Sequence, residues 1–113
     1  MKKLISLFAL LAAGTFSALA SAEEASVKFL SPVEGAKLDA MAVNKVSYEV
    51  APGSKGDHVH FYVDGKEAAV LRQLKGSYTL ETLGPGKHEL CIKIVNKGHT
   101  PIGVQQCINV TAE

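Results

Sequence analysis

Three histidines and two cysteines carry whatever coordination or redox chemistry this 113-residue sequence can support. His58 and His60 stand two apart in Asp57-His58-Val59-His60-Phe61-Tyr62-Val63-Asp64-Gly65, which alternates polar and apolar residues and stops at an Asp-Gly turn. That period of two predicts a half-buried β-strand, with Val59, Phe61 and Val63 toward a core and His58, His60 and Tyr62 on the opposite face. Residues i and i+2 on one face are about 6.6 Å apart, so two imidazoles can converge on one ion. A third, His99, lies in the turn-rich loop Asn96-Lys97-Gly98-His99-Thr100-Pro101-Ile102-Gly103. Imidazole suits Zn(II) and Cu(II), and Asp57 or water could complete the shell, so His58, His60 and His99 are the candidate metal ligands. The competing reading makes His58 and His60 ordinary solvent-face residues and His99 a loop polar residue. His88 has the inward parity of its own strand and falls at the other end of the domain. It is expected to be a core-edge residue with its ring nitrogens satisfied, outside the site.

The compartment bears on the cysteines. Lys2 and Lys3, the apolar run Leu4 to Leu19 and the small residues Ala20-Ser21-Ala22 before Glu23-Glu24 have the order of a secretory signal peptide. Residues 1–22 are therefore expected to be removed, leaving one domain over residues 23–113, periplasmic or secreted, with no stable membrane insertion after cleavage. Export places Cys91 and Cys107 in an oxidising setting, where an even count favours a disulfide over a metal or redox thiolate pair. A net charge of +1 gives no reason to expect nucleic acid as a partner. Nor is catalysis expected. Ser47, Ser54 and Ser77 lack the context of an activated nucleophile, and no Gly-rich phosphate cradle precedes a helix.

The elements that must position these residues are short strands. Ser26 to Leu30 reads as a strand ended by Ser31-Pro32, and Val43 to Val50 as another, with Val46, Tyr48 and Val50 on one face. Ala36 to Ala42 is ambiguous between edge strand and loop. Ala51 to Gly56 is dense in turn formers and leads into the histidine strand. Ala68 to Leu74 and Gly76 to Glu81 follow, the latter with Tyr78 and Leu80 inward; Leu83 plugs the end of the core, and Pro85-Gly86 suits a type II turn. His88 to Val95 and Val104 to Thr111 complete the chain. About seven short strands with no helical period predict an antiparallel β-sandwich of immunoglobulin or fibronectin III character, a small barrel being the alternative. In such a sandwich the third strand pairs with the sixth, which brings His58, His60 and His99 to one end.

The last two strands can be registered by arithmetic. Setting Leu90, Ile92 and Ile94 against Ile108 and Val104, with paired numbers summing to 198, puts Leu90 opposite Ile108 and Ile94 opposite Val104. The same register sets Cys91 opposite Cys107, at a separation a disulfide accepts. Such a bridge, on the face opposite the core, would stabilise by about 3 kcal/mol if unstrained.

Leu30-Ser31-Pro32-Val33-Glu34-Gly35-Ala36, Phe61 to Gly65 and Leu83-Gly84-Pro85-Gly86-Lys87-His88-Glu89-Leu90 resemble the opening, middle strand and later corner of bacterial immunoglobulin-like modules. The chain also resembles a family of small exported bacterial proteins without an assigned activity, in which a His-rich strand, a PG-x-H-x-L corner and a loop His shortly before Pro recur. Here those positions are His58 and His60, His88, and His99 with Pro101, and Asn96 stands where that family tends to carry Asp. The resemblance implies an immunoglobulin-like fold and imports no reaction. Two functions are thus expected of the sequence: a non-catalytic module binding an unknown exported protein or ligand, or a metal-binding protein using His58, His60 and His99.

Overall fold

Alternating apolar residues build two sheets whose inner faces close on each other. The computed structural model describes residues 24–113, so the expected signal peptide at 1–22 lies outside the described residues. Eight strands run in order: β1 Ser26–Ser31, β2 Lys37–Leu38, β3 Asn44–Ala51, β4 His58–Val63, β5 Lys66–Leu71, β6 Lys75–Leu80, β7 Gly86–Val95 and β8 Pro101–Ala112. One sheet has the order β1-β3-β6 and the other β2-β8-β7-β4-β5. The neighbours are antiparallel except for β2, which runs parallel to the end of β8. This is the expected sandwich, the eighth strand being the two-residue edge left ambiguous by the sequence.

The inner faces meet as the period of two requires. Phe29, Val46, Tyr48, Val50 and Leu80 from the small sheet pack with Val59, Phe61, Leu90, Ile92, Ile94, Ile108 and Val110 from the large one. The Phe61 and Tyr78 rings, 5.0 Å apart between centroids, join the two layers. Tyr48 is buried, and its hydroxyl donates to the Gln73 carbonyl at 2.9 Å, as a buried phenol must find a partner. Leu83 is buried at the core's end, as its position in the sequence suggested.

Three strand details differ from the sequence reading. β5 occupies Lys66–Leu71 rather than Ala68 to Leu74, because the tight turn at Asp64 and Gly65, both at positive φ, returns the chain at once into pairing with β4. β8 begins at Pro101, shortening the preceding loop. The 198 register holds from Gly86↔Ala112 through Leu90↔Ile108 and Cys91↔Cys107 to Lys93↔Gln105, then shifts so that Val95 faces Pro101. An irregularity there, rather than the expected Ile94–Val104 pair, closes the hairpin. The Cys91–Cys107 disulfide is formed, its Cα atoms 4.0 Å apart, and no free cysteine remains among the described residues.

His88 lies where its parity placed it, far along β7 from the other histidines. Its Nδ1 donates to Asp64 Oδ2 at 2.6 Å and its Nε2 to the Gly84 carbonyl at 2.7 Å. Both partners are acceptors, so the doubly protonated imidazolium form satisfies both and is the one this setting favours. The hydrogen bond to Asp64, then that to Gly84, raises the His88 pKa above the ordinary imidazole value. Asp64 is held below the usual carboxylate range by the Glu89 amide and by His88. This contact clamps the β4–β5 turn to the loop before β7.

The sign of the pH dependence follows. A group whose folded pKa is raised contributes stability in full below its unfolded value of about 6.5 and loses it as pH rises through the folded value. Denaturant unfolding of the protein and of His88→Gln should differ by on the order of 1 kcal/mol near pH 5.5, a gap closing above the folded pKa. A gap that widens as pH rises would contradict the clamp.

Candidate metal centre

His58 and His60 are placed by the pairing of β4 with β7. Val59 and Phe61 face Ile94 and Ile92 in the core, and the alternate residues His58 and His60 lie opposite Val95 and Lys93 on the outer face. An outer face should be wet, yet His58 is 1% and His60 5% exposed, so the solvent-face reading of these two residues is wrong. The cause is the β7–β8 loop, which folds back over this corner and lays His99 against both rings, with centroids 4.6 and 5.1 Å away.

Asn96 shapes that loop. Its amide donates to the Thr100 carbonyl, its carbonyl accepts from the His99 amide, and its side-chain oxygen accepts from the amides of Gly98 and Thr100 at 2.9 and 3.0 Å. So bound, the chain takes His99 through φ +67°, a left-handed conformation uncommon for a residue with a Cβ. Before the other strand, Gly56 lets the backbone pass close to Pro52 and Ile94: a Cβ there would lie 2.5 Å from the Pro52 carbonyl oxygen. The next residue, Asp57, donates its amide to the Val95 carbonyl, starting β4 in register.

The three rings converge through defined nitrogens. His99 Nδ1 lies 3.3 Å from His58 Nε2 and 3.0 Å from His60 Nε2. Zn–N bonds of about 2.0–2.1 Å at tetrahedral angles put ligand nitrogens about 3.3–3.4 Å apart; the His58 pair matches that spacing, the His60 pair lies slightly inside it, and all three atoms fall within 4.8 Å of one another. The far nitrogens are also held. His58 Nδ1 lies 2.9 Å from Asp57 Oδ2, and His60 Nδ1 lies 3.1 Å from Glu67 Oε1. An ionised carboxylate only accepts, so Nδ1 is the protonated nitrogen of both histidines, and in the neutral form of each ring the Nε2 lone pair turns inward.

With the rings neutral, the three inner nitrogens share at most one proton. A hydrogen on His99 Nδ1 serves one of the two Nε2 lone pairs well, whereas a divalent cation serves all three nitrogens. Burial, the largest influence on His60, lowers its pKa despite the Glu67 carboxylate and so favours the neutral, ligating form. The hydrogen bond from His58 holds the Asp57 carboxyl below the usual range. A carboxylate behind a ligating histidine fixes its tautomer and raises its basicity.

Asp57 therefore stands behind His58 and not in the shell, a correction to its expected place: its oxygen is engaged at Nδ1, on the side of the ring away from the cluster. Glu67 was missed by the sequence reading. Register shifts between Phe61 and Tyr62, where Phe61 faces Ala69 but Tyr62 faces Glu67. The tight Asp64-Gly65 turn sets Val63 opposite Lys66 and Tyr62 opposite Glu67, which puts Glu67 on the outer face with His60; the bulge that follows leaves Ala68 unpaired and sets Ala69 opposite Phe61. Tyr62 continues the outer row beneath the Lys93 ammonium, 4.3 Å from its ring centroid. His88 takes no part.

Replacing Asn96 by Ala should free the loop. The amides of Gly98 and Thr100 are expected to exchange hydrogen far faster in the variant while those of β4 and β7 stay protected. Unchanged exchange at both would show that Asn96 does not hold His99 in place.

Comparison with known proteins places the fold. No family model matches the chain, and none of the curated proteins matches it. Among solved structures it is similar to the fibronectin(III)-like modules of Clostridium thermocellum CbhA, with a TM-score of 0.65, 16% identity and coverage of 77% of this chain and 96% of that one. It is also similar to the extracellular domain of BT4673 from B. thetaiotaomicron, with a TM-score of 0.57 and 16% identity over 80% of this chain, which spans 16% of that one. The described residues form a fibronectin III-like β-sandwich.

Proposed function

We propose that this is a small exported β-sandwich that holds one divalent transition metal, Cu(II) or Zn(II), through His58 Nε2, His60 Nε2 and His99 Nδ1. The convergence of three imidazole nitrogens, two backed by carboxylates on their far nitrogens, carries this reading. Neutral imidazole suits both ions. Two ligands sit on a rigid strand and the third on a loop tied by Asn96, so little ordering accompanies binding. The Cys91–Cys107 bridge and the description of one structural neighbour as an extracellular domain support the exported location. A non-catalytic binding module is the coarser form of the same reading, with this loop end as its recognition surface.

Titration of the purified metal-free protein with Cu(II) and with Zn(II) tests it. The expected result is saturable binding, one ion per chain, tighter than about 10 μM. His58→Ala/His60→Ala should abolish that binding, and His99→Ala, at an exposed position, should weaken it in a protein that still folds. Metal tenfold above its Kd should raise unfolding stability by about 1.4 kcal/mol. No saturable binding, or binding unchanged in the variants, would refute the proposal.

A further inference from the structure

The cluster offers three ligands and no more. Among the described residues, no fourth His, Cys, Asp or Glu donor joins His58, His60 and His99, and Asp57 and Glu67 are engaged on Nδ1 atoms behind the rings. A tetrahedral ion held here keeps a position for an outside ligand. His58 and His60 are buried in the sheet and His99 is exposed, so an outside ligand would reach the cluster from the side of the His99 loop.

The charges around the cluster select the ligand's sign. The Arg72 guanidinium stands 4.0 Å from Asp57 Oδ2, and the Lys97 ammonium also acts on the Asp57 carboxylate. Lys55, Asp57, Asn96 and Lys97 line a cleft of about 380 Å³ beside the loop that carries His99. Arg72 and Lys97 thus offset Asp57, which leaves Glu67 beside a divalent ion and part of the ion's charge without a counterion from the protein. An arriving anion completes both the coordination and the charge.

Building on the metal reading, we infer that the loaded cluster binds an anionic oxygen donor, a carboxylate or a small inorganic oxyanion, at the open coordination position, favoured by the positive field of Arg72 and Lys97 nearby. The ligand donates a lone pair to the metal and displaces one water to solvent. No bond within the ligand breaks, and no electron is transferred.

The test uses Cu(II)-loaded protein at fixed pH, with stoichiometric loading first established by electron paramagnetic resonance. Azide, an anion whose charge-transfer band with Cu(II) reports direct coordination, should give a saturable new absorption. Acetate or bicarbonate should displace it, acetate alone pointing to a carboxylate and bicarbonate alone to an inorganic oxyanion. Arg72→Ala/Lys97→Ala, at exposed positions, should weaken azide binding about threefold or more while Cu(II) still loads one per chain. Full loading without an azide band, azide that neither oxyanion displaces, or azide affinity equal in the double variant would overturn the inference while leaving the metal reading intact. Failure to load Cu(II) or Zn(II) would overturn both.

Discussion

The antiparallel pairing of β4 with β7 is the constraint on which the rest depends. One register sets Val59 and Phe61 against Ile94 and Ile92 inside the sandwich and, through the same backbone hydrogen bonds, presents His58 and His60 on the other side. A slip of one residue would turn both imidazoles into the core and the apolar side chains into water. Each fully buried side chain of this kind is worth roughly 1.5–3 kcal/mol, so the hydrophobic wall fixes the histidines far more firmly than their own contacts could. The core supplies the precision of the site without touching it.

The second requirement is that two buried imidazoles be satisfied. Burying a polar ring without a partner costs on the order of 1–3 kcal/mol. Asp57 and Glu67 answer for the Nδ1 atoms, but both Nε2 atoms converge on the single Nδ1 of His99. On the proposed function, a bound metal would serve all three nitrogens at once. The contrast with His88 is instructive, since its two nitrogens each face an oxygen acceptor, which favours two protons and a charged clamp at the other end of the domain. The same residue type serves as cation or as neutral donor according to what its far nitrogen meets.

Much of this was legible in the sequence because it depended on a period of two. The core residues of β3, β4 and β7, and the register that aligns Leu90 with Ile108 and Cys91 with Cys107, follow from alternation alone. His99 was reached through the pairing order of a sandwich, one step less local. What escaped depended on the turns and loops between the strands. Glu67 shares the histidine face because the two-residue Asp64-Gly65 turn sets it opposite Tyr62, a pairing lost when the next strand is begun at Ala68. Parity places His58 and His60 outward but cannot show that the following loop will cover them. Asn96 was visible as a turn former, while its four hydrogen bonds, and the left-handed backbone they sustain at His99, belong to the folded loop.

The most direct test of the account is long-range proton–nitrogen NMR of the histidine rings before and after one equivalent of Zn(II). Without metal, His58 and His60 should both be protonated at Nδ1 and bare at Nε2. On addition, the Nε2 resonances of those two residues and Nδ1 of His99 should shift together, with His88 unmoved. Protonated Nε2 atoms in the metal-free protein, or a response to Zn(II) that excludes His99 or includes His88, would contradict it.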